Sequence, residues 1–344
     1  MTGDDGSSIP ERGRPTMVDV ARAAGVSQAT VSLALNGSPG ARLSLATRNR
    51  VRRAAEALGY QFVRRGRRRV GAEPGVIAFV ADELTSDPWM ALAFDGARER
   101  AMEAGYGACL CVGLGDAETE VFALDQLAQQ PLAGVIYGTI LTRRVEPPPA
   151  LFRRPAALLN CYDPERRLPA VLPADIAGGR TATERLIRAG RRRIGLICGQ
   201  QGLDATRDRL KGYRQALASN DIAFDPELVR PGNWEPAAGY EGTLALMALA
   251  RPADAIFCAN DMMAVGCYDA LRALGLAVPG DVSVVGFDDR EIARSMRPPL
   301  TTLILPQREM GAIAAGLVID MAAGATPGPA PRKVDCPLVE RGSV

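Results

Sequence analysis

Short apolar segments alternate with helical patterns from residue 75 to the end of the chain. Seven of these segments have the length of buried strands, at 76–81, 107–113, 133–138, 156–160, 193–199, 255–260 and 282–287. Apolar strands that alternate with helices predict parallel sheets covered by helices on both faces. The units are too many for one compact sheet, and the series resumes after the connection at 163–175. We therefore expect two α/β subdomains, with a ligand cleft between them at the carboxyl ends of the strands.

The segment before residue 63 has a different pattern, typical of three short helices. Helical periodicity at 17–24 and at 28–36 is interrupted by Gly25-Val26-Ser27, and Ser27 is suited to cap the second helix. A third helical pattern lies between Ser44 and Gly59. Two helices joined by a tight turn and followed by a third predict a helix-turn-helix domain. Its predicted apolar contacts are Val20, Ala24, Val26, Val31, Leu35, Val51, Ala54, Ala55 and Leu58.

The charge of the chain is divided unevenly along its length. Residues 1–70 carry thirteen arginines and five acidic residues, a net charge of +8, whereas the remainder carries 28 basic and 34 acidic residues. A small basic segment joined to a mildly acidic body indicates a polyanion-binding module. A GC-rich genome explains the preference for arginine over lysine, but it does not explain this asymmetry. We therefore expect the helix-turn-helix to bind double-stranded DNA.

The second helix of the helix-turn-helix carries short side chains suited to reading base edges. A recognition helix enters the major groove N-terminus first, where glutamine can pair with adenine and serine with any base pair. Gln28, Ala29 and Ser32 share one face and are the predicted readers. A small module that binds another protein is the alternative. The other predicted DNA contacts, most of them to phosphates, are Thr16, Ser27, Thr30, Asn36, Arg50, Arg64, Arg67 and Arg68.

The absence of histidine removes most of the familiar catalytic arrangements. Ser–His–Asp and Cys–His catalysis and zinc sites with histidine ligands are excluded, and no phosphate-binding loop is present. The seven cysteines are scattered singly, which favours free buried thiols in a reducing cytoplasm over disulfides or metal ligation. Residues 1–15 lack the apolar core of a secretory signal and are predicted to be a disordered lead-in. We predict no catalytic residue, no metal site and no cofactor.

Two stretches, `DVARAAGVSQATVSLALNG` and `TRNRVRRAAEALGY`, resemble the DNA-binding domain of the lactose-repressor/galactose-repressor family of bacterial transcription regulators. The resemblance continues in order through the body of the chain, from about residue 16 to 337. It is carried there by `RRRIGLICG`, `RDRLKGYRQAL`, `GNWEPAAGY`, `IFCANDMMAVGCYDALRALGLAVPGDVSVVGFDD` and `PPLTTLILP`. Each motif alone is moderately specific, whereas the ordered set is strongly specific.

The resemblance implies a periplasmic-binding-protein-like core in which each subdomain is built from discontinuous segments. The DNA-binding domain is then expected at 16–62, a basic hinge or linker at 63–74 and the core at 75–340. By the same analogy, one subdomain comprises 75–172 plus 303–331, and the other comprises 173–302 plus 332–340. Similar regulators are homodimers that bind a palindromic operator and change affinity when a small molecule, such as a sugar or a related metabolite, enters the cleft. No heptad pattern follows Val339, which favours a dimer over a coiled-coil tetramer.

The resemblance also implies which residues bind the small molecule. An indole can pack on the apolar face of a sugar ring or a nucleobase, while arginine and aspartate form charge-assisted hydrogen bonds to its polar edges. The alternatives are core packing for the tryptophans, structural ion pairs for the charged residues, and a strand-to-helix turn for Asn260-Asp261. The expected effector-binding residues are Trp89, Asp175, Arg209, Trp234, Asn260, Asp261 and Asp288.

Two segments depart from the pattern of the family. Leu33 occupies a recognition-helix position where many relatives carry arginine, so no base contact is transferred there. The expected hinge, `RRGRRRV` at 64–70, contains Gly66 and lacks the leucine with which relatives wedge open the minor groove. Either Val70 is a weaker wedge, or arginines hold the minor groove without intercalation. A flexible charged linker remains the alternative for the whole segment.

Three functions are compatible with a chain of this kind. The leading hypothesis is a sequence-specific transcription regulator, acting as a repressor under the control of a small molecule. A solute-binding protein for transport shares the same core, but the helix-turn-helix and the lack of a signal peptide argue against it. An α/β enzyme acting on a sugar or nucleotide is the third, and no catalytic constellation in the sequence supports it.

Overall fold

The computed structural model describes residues 17–27, 30–31, 45–58, 75–85, 88–113, 116–328 and 330–344. The chain divides into two compact units, residues 1–67 and residues 68–344. Among the described residues, no helix has both the length and the apolar character that crossing a bilayer requires.

The first unit contains helix α1 (Met17–Ala24) and helix α2 (Leu45–Ala57). Gly25, with a φ of 60°, ends α1 in the left-handed region that favours glycine. The chain then enters a second helix, in which Thr30 and Val31 are described. The backbone N–H of Thr30 donates to Ser27 Oγ over 3.1 Å, which confirms Ser27 as the cap of this helix.

The core of this unit is small and apolar. Its members are seven of the predicted contacts together with Ala21, which was not predicted: Val20, Ala24, Val26, Val31, Val51, Ala54 and Ala55. Leu58 was predicted to join them, but it is 39% exposed because it lies one residue beyond the end of α2. Leu35, Thr16 and Ser44 lie outside the described residues.

The first subdomain of the second unit is built on a six-stranded, wholly parallel sheet. Its strands are β1 (Val76–Ala81), β2 (Gly107–Val112), β3 (Leu132–Arg144), β4 (Ala156–Tyr162), β5 (Ala170–Pro173) and β11 (Arg332–Val334), in the order β11-β5-β4-β3-β1-β2. Helices α3 (Trp89–Glu103) and α10 (Gln307–Ala322) cover one face, with Ile77 and Phe79 beneath them. Ala78 and Val80 alternate to the other face, which α4 (Ala117–Ala128) and a 3-10 helix (Pro149–Arg153) cover.

The second subdomain has a four-stranded parallel sheet. Its strands are β6 (Ile194–Ile197), β7 (Val229–Arg230), β8 (Ala255–Cys258) and β9 (Ser283–Val285), in the order β7-β6-β8-β9. The helices of this subdomain are α5 (Asp175–Arg188), α6 (Asp204–Ala218), α7 (Pro236–Met247), α8 (Asp261–Ala273) and the short α9 (Glu291–Ser295). Helices α5 and α6 pack on one face of the sheet, and α7 and α8 pack on the other. These two layered sheets are the α/β arrangement that the alternating pattern predicts.

The chain crosses between the subdomains three times. It passes from β5 into α5, returns through β10 (Thr302–Leu303) to α10, and crosses again after β11 to β12 (Leu338–Val339). Strands β10 and β12 pair antiparallel, so two of the crossovers are hydrogen-bonded to each other. Arg332–Val334 pairs with Val171–Pro173 in the first sheet. The third crossover therefore follows Val334, whereas the predicted boundary assigned all of 332–340 to the second subdomain.

The cysteines of the described strands and helices are free thiols. Five of the seven are buried, while Cys109 and Cys111 on the edge strand β2 are partly exposed. Burial raises the pKa of Cys161 and of Cys336 to about 12. These thiols are protonated at neutral pH and serve as small apolar core residues.

Candidate functional site

The carboxyl edge of the second sheet brings several predicted effector residues together. Trp234 follows β7, Asn260 follows β8, and Asp288 follows β9. Arg209 reaches the same edge from α6, and Asp175 reaches it from the first turn of α5. Because these strands are parallel, the segments that follow them lie on one side of the sheet.

Arg209 is the centre of this cluster. Its side chain is 5% exposed, and its Nε donates to Asp175 Oδ1 over 2.8 Å. One terminal nitrogen donates to the carbonyl oxygen of Ala259 and lies 4.0 Å from Asp288 Oδ1. The guanidinium carbon lies 3.6 Å from the ring centre of Phe287, which the sequence analysis missed. The guanidinium is thus fixed by a carboxylate, a carbonyl and an aromatic face.

The carboxylate of Asp175 forms a buried ion pair with Arg209. Asp175 is 2% exposed, and burial raises the pKa of its carboxyl, while the Arg209 guanidinium opposes that rise. A buried carboxylate that is hydrogen-bonded in this way holds its arginine in one orientation. Removing either partner would leave the other charge uncompensated. Asp175 therefore acts on the site by positioning Arg209.

Trp234 stacks beside Arg209, with 5.6 Å between the guanidinium carbon and the indole. Its backbone has a φ of 74°, which is unusual for a residue other than glycine. A Cβ atom at Gly199 would lie 1.9 Å from the indole, so this glycine makes room for the ring. The indole Nε1 is buried and donates to no acceptor in the described chain. The indole therefore has a hydrogen-bond donor that no acceptor in the described chain uses.

Asn260 and Asp261 serve the framework. The Asn260 amide caps α8 by accepting from Met263 N over 2.8 Å and donates to the Trp234 carbonyl over 2.9 Å. The Asp261 carboxylate is wholly buried and accepts from the Thr302 hydroxyl at 2.6 Å and from Arg290 N at 2.7 Å. Both carboxylate oxygens accept hydrogen bonds within the protein, so Asp261 serves the framework, and its contact with an effector stays a prediction. Asn260 also holds the loop of Trp234 in place, and its contact with an effector likewise stays a prediction.

Asp261 sits where the second subdomain meets a crossover. Thr302 belongs to β10, and Arg290 belongs to the loop after β9, so one carboxylate ties both segments to the start of α8. Burial raises the pKa of Asp261 to about 7, against the opposing effect of the hydrogen bonds from Thr302 and Arg290. The carboxyl can therefore change its protonation state near neutral pH.

Asp288 lies in a constrained loop beside the crossovers. It has a φ of 116°, and the next residue, Asp289, has a φ of 54°. The Asp288 N–H donates to the carbonyl of Leu303 over 2.7 Å. Asp289 forms ion pairs with Arg341 and Arg294. Such backbone conformations persist only where surrounding contacts enforce them, and they are concentrated at functional sites.

Trp89 is contributed by the first subdomain, where it begins α3 and is 8% exposed. The guanidinium carbon of Arg290 lies 5.6 Å from its ring centre. A pocket of about 700 Å3 is lined by Trp89, by Asp288 and by Gln307, the first residue of α10. Residues from both subdomains therefore meet at this pocket. Gln307 was not predicted, because a glutamine that follows a proline carries no recognisable motif.

A second contact between the subdomains was also missed. Tyr162, at the end of β4, lies against Asp204 and Arg207 in the first turn of α6. Burial, followed by the interaction with Asp204, raises the pKa of the Tyr162 phenol. Arg207 in turn pairs with Asp204 over 2.5 Å. Nothing in the sequence indicates this contact, because its residues are far apart in the chain and match no motif.

The carboxyl edge of the first sheet carries a buried polar network. The amide of Asn160 donates to the carbonyls of Thr139 and Ile140 over 2.9 Å each and accepts from the Thr142 hydroxyl at 2.6 Å. Asp82, after β1, accepts from Ile140 N at 2.8 Å. These groups satisfy one another and hold the strand ends rigid on that side of the cleft.

Three of the predicted DNA contacts lie within the described residues. Ser27 is exposed, and its hydroxyl lies 2.9 Å from that of Thr30, so capping already occupies part of its hydrogen-bonding capacity. Arg50 is exposed on α2. The remaining predicted contacts lie outside the described residues: Thr16, Gln28, Ala29, Ser32, Asn36, Arg64, Arg67 and Arg68. Leu33 and the expected hinge lie outside them as well.

Family models match both parts of the chain. Residues 16–61 match bacterial regulatory proteins of the lacI family, and residues 183–344 match a periplasmic binding protein-like domain. The HTH-type transcriptional regulator CelR of Thermobifida fusca is 35% identical over 345 residues, covering 97% of this chain and 100% of that protein.

Solved structures resemble the chain over almost its whole length. A complex of the regulator CelR with cellobiose superimposes with a TM-score of 0.67 at 33% identity, covering 96% of this chain and 100% of that one. The lac repressor dimer bound to operator and an anti-inducer superimposes with a TM-score of 0.65 at 26% identity, covering 96% and 98%. The matched relatives are transcription regulators, not enzymes. This chain therefore belongs to the lacI family of bacterial regulatory proteins and is a helix-turn-helix transcription regulator.

Proposed function

We propose that this regulator is a homodimeric repressor that binds a palindromic operator and is controlled by a sugar or related metabolite. The small molecule enters the cleft between the subdomains and changes the affinity of the protein for DNA. The observation that supports this most directly is the buried group around Arg209, where a fixed guanidinium, two carboxylates and an indole converge. Such a group of convergent polar and aromatic side chains at the carboxyl edge of a parallel sheet is typical of a ligand site.

The effector contacts are assigned to four of the predicted residues. Trp89 and Trp234 offer aromatic faces to a sugar ring, while Arg209 and Asp288 offer charged hydrogen-bonding groups to its hydroxyls. Asp175 positions Arg209, and Asp261 stabilises the crossover. The complex of CelR with cellobiose supports a sugar as the class of ligand.

The DNA contacts follow the predicted helix-turn-helix at 16–62. Gln28, Ala29 and Ser32 read base edges, while Arg50 and the arginines of 63–74 contact phosphates. Two such domains in a dimer would place their recognition helices about 34 Å apart, one turn of DNA. The lac repressor dimer bound to operator supports this arrangement. A regulator of chromosomal operators acts in the bacterial cytoplasm.

Closure of the cleft supplies the coupling between ligand and DNA. A ligand that contacts both subdomains favours their closed arrangement and shifts the dimer between states of different DNA affinity. The paired crossovers β10 and β12 and the loop at Asp288 are the segments through which the subdomains move. The sign of the response, release or recruitment of DNA, is an outcome of the test.

The test is binding of the full-length protein to labelled DNA selected from a random pool, measured by fluorescence anisotropy with and without sugars. The proposal expects one selected palindrome and one sugar that changes its affinity. Trp234→Ala should abolish the sugar response and leave operator affinity within about threefold. If sugars still change operator affinity in both Trp234→Ala and Arg209→Ala, the effector does not bind in this cleft.

A further inference from the structure

Arg290 and Trp89 form a contact between the two subdomains. Trp89 begins α3 in the first subdomain, and Arg290 lies in the loop after β9 in the second. The guanidinium carbon lies 5.6 Å from the centre of the indole ring, within the range of a cation–π contact. The indole is 8% exposed, and such contacts are strongest where water is excluded. The pair therefore stabilises the arrangement in which the two subdomains touch.

The loop that carries Arg290 is anchored within the second subdomain. The backbone N–H of Arg290 donates to the buried carboxylate of Asp261 over 2.7 Å. The preceding residue, Asp289, forms an ion pair with Arg341. Neither contact uses the Arg290 side chain, so a substitution at this position should leave both in place. The anchored loop presents the guanidinium to Trp89 from a defined position.

The same loop forms part of the group around Arg209. The ring centre of Phe287 lies 3.6 Å from the guanidinium carbon of Arg209, and Asp288 Oδ1 lies 4.0 Å from one of its terminal nitrogens. Four consecutive residues, 287–290, therefore connect Arg209 with Trp89. Because one residue separates Asp288 from Arg290, a movement of Asp288 also moves the base of the Arg290 side chain.

We propose that Arg290 is a positioning residue that couples the group around Arg209 to closure of the subdomains. It holds the Trp89 ring in place and favours the arrangement in which the subdomains touch. This inference rests on the proposed control by a small molecule. It adds the residue through which the loop at 287–290 acts on the first subdomain. In the alternative, Arg290 only shields the indole from water and has no effect on DNA binding.

The first experiment tests the contact itself and uses no ligand. The chain has two tryptophans, so Trp234→Phe leaves Trp89 as the only indole. In this background, quenching of the fluorescence by acrylamide is compared for the parent, Arg290→Gln, Arg290→Lys and the control Arg272→Gln. Arg272 is 71% exposed on α8, where it pairs with Asp269. Melting temperatures establish that each variant is folded.

Removing the cation should expose Trp89. We expect Arg290→Gln to raise the quenching constant about twofold or more, because the ring loses its cover and the subdomains separate more often. Arg290→Lys keeps a cation and should retain most of the protection, while Arg272→Gln should match the parent. Equal quenching in Arg290→Gln and the parent would show that Arg290 does not hold the ring, and the proposal would be overturned.

The second experiment tests coupling to DNA in full-length protein with both tryptophans. Operator affinity without sugar is measured by fluorescence anisotropy on DNA selected from a random pool, and a stoichiometric titration gives the active fraction. Arg290→Gln should change operator affinity by about two- to 30-fold, the range that loss of one cation–π contact produces. Arg290→Lys should change it less, and Arg272→Gln should leave it unchanged. Unchanged affinity in Arg290→Gln would overturn the coupling, even where quenching has increased.

Cellobiose, the sugar in the CelR complex, connects this result to the proposed function. A sugar that favours closure should change operator affinity in the direction opposite to the effect of Arg290→Gln. A change in the same direction would overturn the proposal, because Arg290 would then oppose the arrangement that the sugar favours. No response of the unchanged chain would contradict cellobiose as the effector, and the two sugar-free measurements would still decide the role of Arg290.

Discussion

Arg209 donates from Nε to Oδ1 of Asp175 over 2.8 Å, and neither side chain is more than 5% exposed. Asp175→Asn keeps the shape of the side chain but removes its charge, which leaves the buried guanidinium with only the distant carboxylate of Asp288. We expect the free energy of unfolding to fall by about 3–5 kcal/mol, the usual cost of breaking a buried pair. Urea denaturation followed by circular dichroism measures this loss.

A surface ion pair provides the comparison for that measurement. Glu184 pairs with Arg180 and Arg188, whose side chains are 49% and 67% exposed. Glu184→Gln should change the free energy of unfolding by less than about 1 kcal/mol, because exposed pairs are weak. Equal losses in the two variants would show that the Arg209–Asp175 pair is not a special feature of the fold.

The raised pKa of Asp261 predicts a particular dependence of stability on pH. Its value of about 7 in the folded protein is above that of an unfolded aspartate, so the folded state binds the proton more tightly. The contribution of this group is therefore greatest in acid, declines as the pH rises from about 4 through 7, and is constant above that. Asp261→Asn cannot titrate and should remove this decline.

The difference in melting temperature between the unchanged chain and Asp261→Asn, measured from pH 5 to pH 8, isolates that contribution. Asp269→Asn is the control, since Asp269 is 56% exposed and pairs with Arg272 on the surface of α8. We expect the melting temperature of Asp261→Asn to rise relative to that of the unchanged chain as the pH increases from 5 to 8. A difference that is independent of pH would mean that Asp261 is already ionised at pH 5.

Gly199 controls the position of the Trp234 indole. An alanine there would place its Cβ 1.9 Å from the ring, so the indole must leave its position beside Arg209 or the backbone must shift. We expect Gly199→Ala to lose about 1–3 kcal/mol of stability through overpacking and to weaken effector binding. Calorimetric titration of the variant with a sugar that binds the unchanged chain measures the loss of affinity.

Gly316 offers a matched glycine for this experiment. It lies inside α10, where an added Cβ would meet only the Arg100 side chain at an ordinary distance of 3.8 Å. Gly316→Ala should stabilise the protein by about 0.5–1 kcal/mol through helix propensity and leave sugar affinity unchanged. Unaltered sugar affinity in Gly199→Ala as well would place the indole outside the binding site.

In the DNA-binding unit, we expect different residues to determine sequence preference and general affinity for DNA. Gln28→Ala and Ser32→Ala should relax sequence preference, with a loss of about 1–3 kcal/mol on the selected operator and little on random DNA. Arg50→Ala should weaken all sequences alike and reduce the slope of log affinity against log salt by about one. Anisotropy titrations at several salt concentrations distinguish the two effects. A uniform loss from Gln28→Ala would mean that a different face of the helix reads the bases.

Local sequence signals predicted much of the fold. Gly25 and Ser27 fix the end of α1 and the start of the next helix because a left-handed turn and an N-cap each require a particular residue type. The predicted strand at 76–81 coincides with β1. A continuous apolar run of this length is typical of a strand in a parallel sheet, because both faces of such a strand are buried. Long-range pairing left no such signal, and Arg332–Val334 reads as surface chain until β5 is seen beside it.

The residues of the cleft could be predicted from the sequence only where they belong to a recognisable motif. Arg209, Trp234 and Asp288 belong to recognisable stretches, and the structure brings them together. Asp261 belongs to an equally recognisable stretch, yet its role depends on Thr302 and Arg290, which only the folded chain places beside it. Gln307 and Tyr162 have no motif at all, so burial and neighbours alone reveal them.

We propose that the binding of one small molecule at Arg209 and Trp234 is coupled to the binding of operator DNA. The most direct measurement is a reciprocal titration: operator affinity at zero and saturating sugar, and sugar affinity with and without operator. We expect both affinities to change by the same factor, about five- to 150-fold, and Arg209→Ala to abolish the change. Equal operator affinity at zero and saturating sugar in the unchanged chain would contradict it.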